Sequence, residues 1–120
     1  MPRSGSARRY AQAVFQIAEE TDQFDVWLED LSLLVRALEN EELSRFLNGP
    51  QFSAAQKTRG VRTALGQSVG DFAANLLALL ASRNLAHLVS DIAEQYELQL
   101  NAYRGIERAE IVSAVQLDGE

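Results

Sequence analysis

The chain has 120 residues, with 17 acids against 11 bases, one His, no Cys and two Pro. That length points to one domain, able to bury roughly two-thirds of the surface its unfolded chain exposes. No thiol means no disulfide scaffold, Cys-based zinc site, iron–sulfur cluster or Cys nucleophile, and a net charge of −6 argues against nucleic acid, whose binding needs many Lys and Arg on one face.

Residues 1–6 read as a disordered leader, with Pro2 in it. Six helical segments are then predicted from caps and periodicity. The first covers Ala7 to Glu20, and Thr21-Asp22 supplies an N-cap for a second, Phe24 to Glu39. Asn40 caps a short third, Glu41 to Leu47, which Asn48-Gly49-Pro50 ends. Ser53-Ala-Ala-Gln56 is a capping box opening the fourth, to about Ser68, in which Gly60 and Gly66 each cost near ~1 kcal/mol relative to Ala. Asp71 caps the fifth, Phe72 to Ser82, and the sixth runs from Leu85 to Arg104, ending at Gly105.

The sixth segment has one apolar stripe (Leu85, Leu88, Val89, Ile92, Ala93, Tyr96, Leu100 and Tyr103) and one wet side. The first is different. Tyr10, Ala11, Ala13, Val14, Phe15, Ile17 and Ala18 cover an arc of roughly 200°, where a single packing face needs about 100°. The fifth is more extreme, with only Asn75 and Ser82 interrupting its apolar circumference. Either both are central helices wrapped by others, or part of the excess forms a groove for an outside helix.

After Gly105 the period falls near two, with Ala109, Ile111, Ser113, Val115 and Leu117 on one side. This predicts a strand, yet the chain offers it no partner strand. The expectation is therefore a helical domain over 7–105, followed over 106–120 by a linker and the first strand of a second domain that is missing here.

Candidate chemistry is sparse. His87, Ser90 and Asp91 share an exposed helical face and do not converge from separate elements, as a catalytic triad must. The Gly60–Ser68 stretch lacks the spacing, the Lys and the preceding strand of a phosphate-binding loop. Acid pairs such as Glu19-Glu20 and Glu41-Glu42 fall at helix ends as solvated charge, and Lys57, Arg59 and Arg62 make too small a basic spot for a nucleic-acid track. Trp27 falls on the apolar face of the second helix with Leu31, Leu34 and Leu38. The longest apolar run, Phe72 to Ala81, is about half of what crosses a bilayer, and no signal peptide is visible. Neither an enzyme nor a cofactor or metal site is expected.

The residues carry a family resemblance. Ala7-Arg-Arg-Tyr-Ala-Gln-Ala-Val-Phe15 resembles the start of the delta subunit of F-type ATP synthase, called OSCP in mitochondria. The similarity continues through Trp27, Phe46-Leu47-Asn48-Gly49-Pro50, Asn75-Leu76-Leu77, Asp91-Ile92-Ala93-Glu94-Gln95-Tyr96 and Arg108-Ala109-Glu110-Ile111-Val112-Ser113-Ala114. The chain departs from the common pattern at Arg83–His87, and Ser90 stands where many relatives have Pro, which leaves the turn before the sixth helix less defined.

The resemblance implies an all-α, six-helix bundle that belongs to the stator and is not catalytic. It would bind the N-terminal helix of the alpha subunit in a groove between helices one and five, helping to hold the catalytic head against rotor torque. Tyr10, Ala13, Val14 and Ile17 would face the guest from helix one, and Asn75, Ala78, Leu79 and Ser82 from helix five. The b-subunit stalk would be held by the missing second domain. The resemblance places the protein peripherally at the cytoplasmic face of a bacterial membrane, without insertion, nucleic acid or cofactor. A second reading, an all-helical RNA-binding antitermination factor resembling NusB, has only Arg3, Arg8 and Arg9 in its favour.

Overall fold

The computed structural model describes residues 5–118. Among them lie six α-helices, α1 (Gly5–Thr21), α2 (Phe24–Ala37), α3 (Glu41–Asn48), α4 (Ala54–Leu65), α5 (Asp71–Ser82) and α6 (Val89–Asp118), with a short 3₁₀ turn at Ala86–Leu88 before the last. The expected leader at 1–6 is corrected in part: Gly5 and Ser6 already belong to the first turn of α1, and residues 1–4 lie outside the described residues.

Side-chain caps open two of the helices, α3 and α4. The Asn40 Oδ1 accepts from the Leu43 amide at 3.0 Å, satisfying one of the open donors of α3. At α4, Ser53 and Gln56 exchange reciprocal bonds of 2.8 and 3.1 Å, the capping box the sequence predicts. Asp22 does not cap α2, whose N-cap is Gln23. It closes α1 instead, at φ 53°, with the Asp22 amide donating to Glu19 O and the Gln23 amide to Ala18 O. Asn84 repeats this after α5, at φ 60°, with bonds from Asn84 to Ala81 O and from Leu85 to Leu80 O. These are Schellman closures, and short polar Asp and Asn are the side chains that tolerate the left-handed backbone they require. The turn before α6 is thus well defined despite its departure from the family pattern.

Two helices, α1 and α2, pack on α6. On α1 the buried positions are Ala7, Ala11, Val14 and Ala18, spaced four, three and four apart. Small side chains on that seam let α1 lie close on α6, its principal neighbour, while α2 packs on the same half of α6 and α4 pairs with α5. Trp27, Leu31 and Leu34 enter the core from α2, and Ile92, Tyr96 and Leu100 meet them from α6.

Tyr96 has no exposed surface, and its hydroxyl donates to Phe24 O at 2.7 Å. Phe15 lies 6.4 Å from its ring, and Phe15, Phe24 and Tyr103 pack on one another at centroid separations of 5.3 to 5.5 Å. Burial pushes the Tyr96 phenol up from 10.0 to about 12, with Arg104 opposing and Asp25 adding to the rise. A raised folded pKa stabilises fully below the unfolded value, and that contribution is lost as pH climbs through the folded value. Urea unfolding should therefore show stability falling by on the order of 2 kcal/mol between about pH 10 and 12. Tyr96→Phe, weaker by about 1 kcal/mol at neutral pH, should lack that share of the decline.

Gly60 carries a packing reason that its helix propensity hides. A Cβ there would stand 2.4 Å from the Phe46 ring, which is itself held against Phe52 at 4.6 Å. Gly60→Ala gains up to about 1 kcal/mol of helix propensity but must displace that ring pair. We expect a net loss of about 1 kcal/mol by thermal melting.

Past Gly105 the expected strand is corrected: α6 continues unbroken to Asp118. Ala, Glu, Arg and Gln are good helix formers, and one exposed Gly costs only about 1 kcal/mol. A lone strand leaves its backbone unpaired, whereas extending a helix satisfies each new amide locally, so the period-two pattern loses to the helix. From Gly105 to Ala114 every residue is exposed, so this part of α6 stands clear of the bundle. Residues 119–120 lie outside the described residues.

Candidate functional site

Because α1 turns Ala7, Ala11, Val14 and Ala18 inward, its flank carrying Tyr10, Ala13 and Ile17 points away from the core. Tyr10 is half-buried, Ala13 exposed, and Ile17 38% exposed. On α5 the inward set is Ala73, Ala74, Leu77, Ala78, Leu80 and Ala81. The outward set is Phe72 at 60% exposure, Asn75, half-buried Leu76, Leu79 at 41% and half-buried Ser82. Phe72, Leu76 and Leu79 recur at i, i+4 and i+7, an apolar stripe one helix face wide.

Two of the eight predicted site residues are thus corrected. Val14 and Ala78 are buried, at 3% and 8%, inside the chain's own core. The wheel could not separate them from their neighbours, because inner and outer positions of both helices are equally apolar. Phe72 and Leu76, which the resemblance does not name as facing the guest, share the outward stripe of Leu79.

The two helices do not pack closely on each other; α1 leans on α6 and α5 on α4. They are joined at one end, where Arg83 Nη1 donates to the Tyr10 hydroxyl at 3.1 Å. Beside that bond an open cavity of about 490 Å³ is lined by Ser6, Arg9, Tyr10, Ala13, Arg83 and Leu85. Of the polar residues on α5, Asn75 accepts from Arg62 Nη2 at 2.8 Å, which ties it towards α4, and the Ser82 hydroxyl donates to Leu79 O within its own helix. A second cleft of about 420 Å³ lies between α2 and α6, lined by Leu28, Leu31, Ser32, Val35, Ser90, Ala93, Glu94 and Glu97.

His87 and Ser90 are exposed and Asp91 half-buried beside the start of α6. Among the described residues no group of three His, Asp or Glu could hold a metal ion, and no helix is long and apolar enough to cross a membrane. What the surface offers here is apolar area with a basic end.

Comparison with known proteins places this arrangement. The family model for the ATP synthase delta (OSCP) subunit matches residues 7–120. The chain belongs to that family. ATP synthase subunit delta of Dechloromonas aromatica is 34% identical over 112 residues, covering 93% of this chain and 63% of that protein. The subunit of the same name from Rubrobacter xylanophilus is 33% identical over 112 residues, covering 92% and 62%. The chain therefore spans somewhat under two-thirds of the length of these relatives. The delta-family fold is also seen in a solved structure, a chain of the Polytomella F-ATP synthase determined by electron cryomicroscopy with focus on the F1 head and rotor. It superposes with a TM-score of 0.75 at 20% identity, covering 87% of this chain and 93% of that one. Family membership displaces the antitermination reading.

Proposed function

We propose that this chain is the head-binding part of an F-type ATP synthase stator and that it seats an amphipathic helix from the N-terminus of the alpha subunit between α1 and α5. The observation that carries the reading is the pair of outward apolar strips, Ala13 and Ile17 on α1 and Phe72, Leu76 and Leu79 on α5, on helices that do not close on each other. A helix laid between them buries both strips, and small Ala13 admits its backbone closely. The role is mechanical and non-catalytic: the bundle ties the catalytic head to a stationary stalk, peripheral to the membrane on the cytoplasmic side of a bacterial cell. The b-subunit stalk would be held by a second domain following α6, within the length that relatives have and this chain does not span.

Calorimetric titration tests this directly. A synthetic peptide with the N-terminal sequence of the alpha subunit from the same organism should bind with a dissociation constant on the order of 1 μM or tighter, with a negative heat-capacity change from apolar burial. No heat with the peptide near roughly 1 mM would remove the proposal.

A further inference from the structure

The two helices that flank the groove share a charge gradient. Arg8 and Arg9 lie in the first half of α1, and Glu19 and Glu20 close to its end. On the other flank Asp71 opens α5 and Arg83 follows its last residue. The Tyr10–Arg83 bond brings the two basic ends together. At 1.5 Å per residue the acids of α1 lie about 16 Å from Arg9, and Asp71 about 18 Å from Arg83. Arg9 and Arg83 line the same cavity, both are exposed, and neither has a carboxylate partner among the described residues. Tyr10 engages one of the five N–H donors of Arg83, which orients its planar guanidinium while leaving the others open.

We propose that Arg9 and Arg83, the second held by Tyr10, form a carboxylate clamp for an Asp or Glu side chain of the bound helix, and so determine which end of that helix lies over the start of α1. The clamp presupposes the helix-binding groove and adds to it a polarity that apolar strips alone do not supply. Charge complementarity commits the occupant: an amphipathic helix with an acid towards one end, kept by like charge from placing that acid at the Glu19, Glu20 and Asp71 ends.

The experiment titrates this chain with the alpha-subunit N-terminal peptide and with variants in which each Asp or Glu is changed singly to Asn or Gln. One such change should weaken binding roughly five- to tenfold, and that loss should shrink towards nothing in Arg83→Gln and in Arg9→Gln. Tyr10→Phe should reduce the same coupling by a smaller factor. A nitroxide placed on the peptide beside the sensitive acid should broaden the amides of Ser6 to Ala13. Equal losses in the wild-type and arginine-variant chains, or broadening at Glu19 to Asp22 instead, overturn the clamp while leaving the groove standing. Absence of binding by the unmodified peptide overturns both. Two exposed arginines, one on α1 and one just past the end of α5, give independent variants, so misfolding of one leaves the other to decide.

Discussion

Lys57→Ala should cost about 3 kcal/mol of stability, lowering the thermal midpoint by roughly 10 °C or more. Lys57 sits on the inward face of α4 with Val61 and Leu65 and is only 2% exposed. A buried ammonium is tolerable only where acceptors replace its water. Here Nζ donates to Asn84 Oδ1 at 2.9 Å and to Ala81 O at 3.3 Å. Both acceptors lie at the end of α5, where the helix dipole favours a cation. The alanine variant loses this cap and leaves the volume of the stem unfilled. Lys57→Met keeps the stem and should cost about 1 kcal/mol. Ala81 O retains the Asn84 amide at 3.0 Å, and the exposed Asn84 side chain can turn to water. Urea unfolding of the two variants separates packing from capping. Equal losses would assign the whole effect to the ammonium.

This lysine also bears on the proposed groove. It fixes the turn that carries Asn84, and Arg83 immediately precedes that residue. The Schellman closure, the Lys57 bonds and the Arg83–Tyr10 bond form one chain of contacts from the inside of α4 to the start of α1. The end at which α1 and α5 are joined is thus anchored by one core residue, Lys57, whereas their outward faces carry residues that the core does not use.

What the sequence revealed follows the same division. The caps and apolar periods are legible because they are local: Asn40 and Ser53 bond within three residues of themselves. Asp22 was misread because an N-cap and a left-handed closure draw on the same short polar side chains, and only the neighbouring backbone decides between them. Lys57 reads with Arg59 and Arg62 as one small basic spot, since nothing local shows that a stem passes inward to acceptors 24 and 27 residues away. Excess apolar circumference points to α1 and α5, but which of their apolar residues stay outside depends on where α6 and α4 lie. That is tertiary information, and it moved Val14 and Ala78 inward while bringing Phe72 forward. The tail failed for a different reason. Period-two spacing carries weight only where a partner strand can reward it, and among the described residues none exists.

Ala13→Glu should abolish most binding of the alpha-subunit peptide, weakening it by roughly 30-fold or more, while shifting the melting temperature by only a few degrees. Ala13 is exposed and lines the cavity beside Tyr10, so the unbound chain accommodates a carboxylate there in water at little cost. A bound helix would desolvate that charge against an apolar strip and separate its own backbone from α1 by the added side chain. Leu79→Glu should act likewise from the opposite flank, because its 41% exposed side chain faces outward from α5. Glu94→Lys, in the α2–α6 cleft, serves as the control. That cleft is comparable in volume and rimmed by Glu94 and Glu97, so it is the competing seat for a basic helix. Loss of binding in Ala13→Glu and Leu79→Glu with none in Glu94→Lys assigns the guest to α1 and α5. The reverse pattern would move it to the other side of α6, where acidic rather than basic side chains would then select the partner.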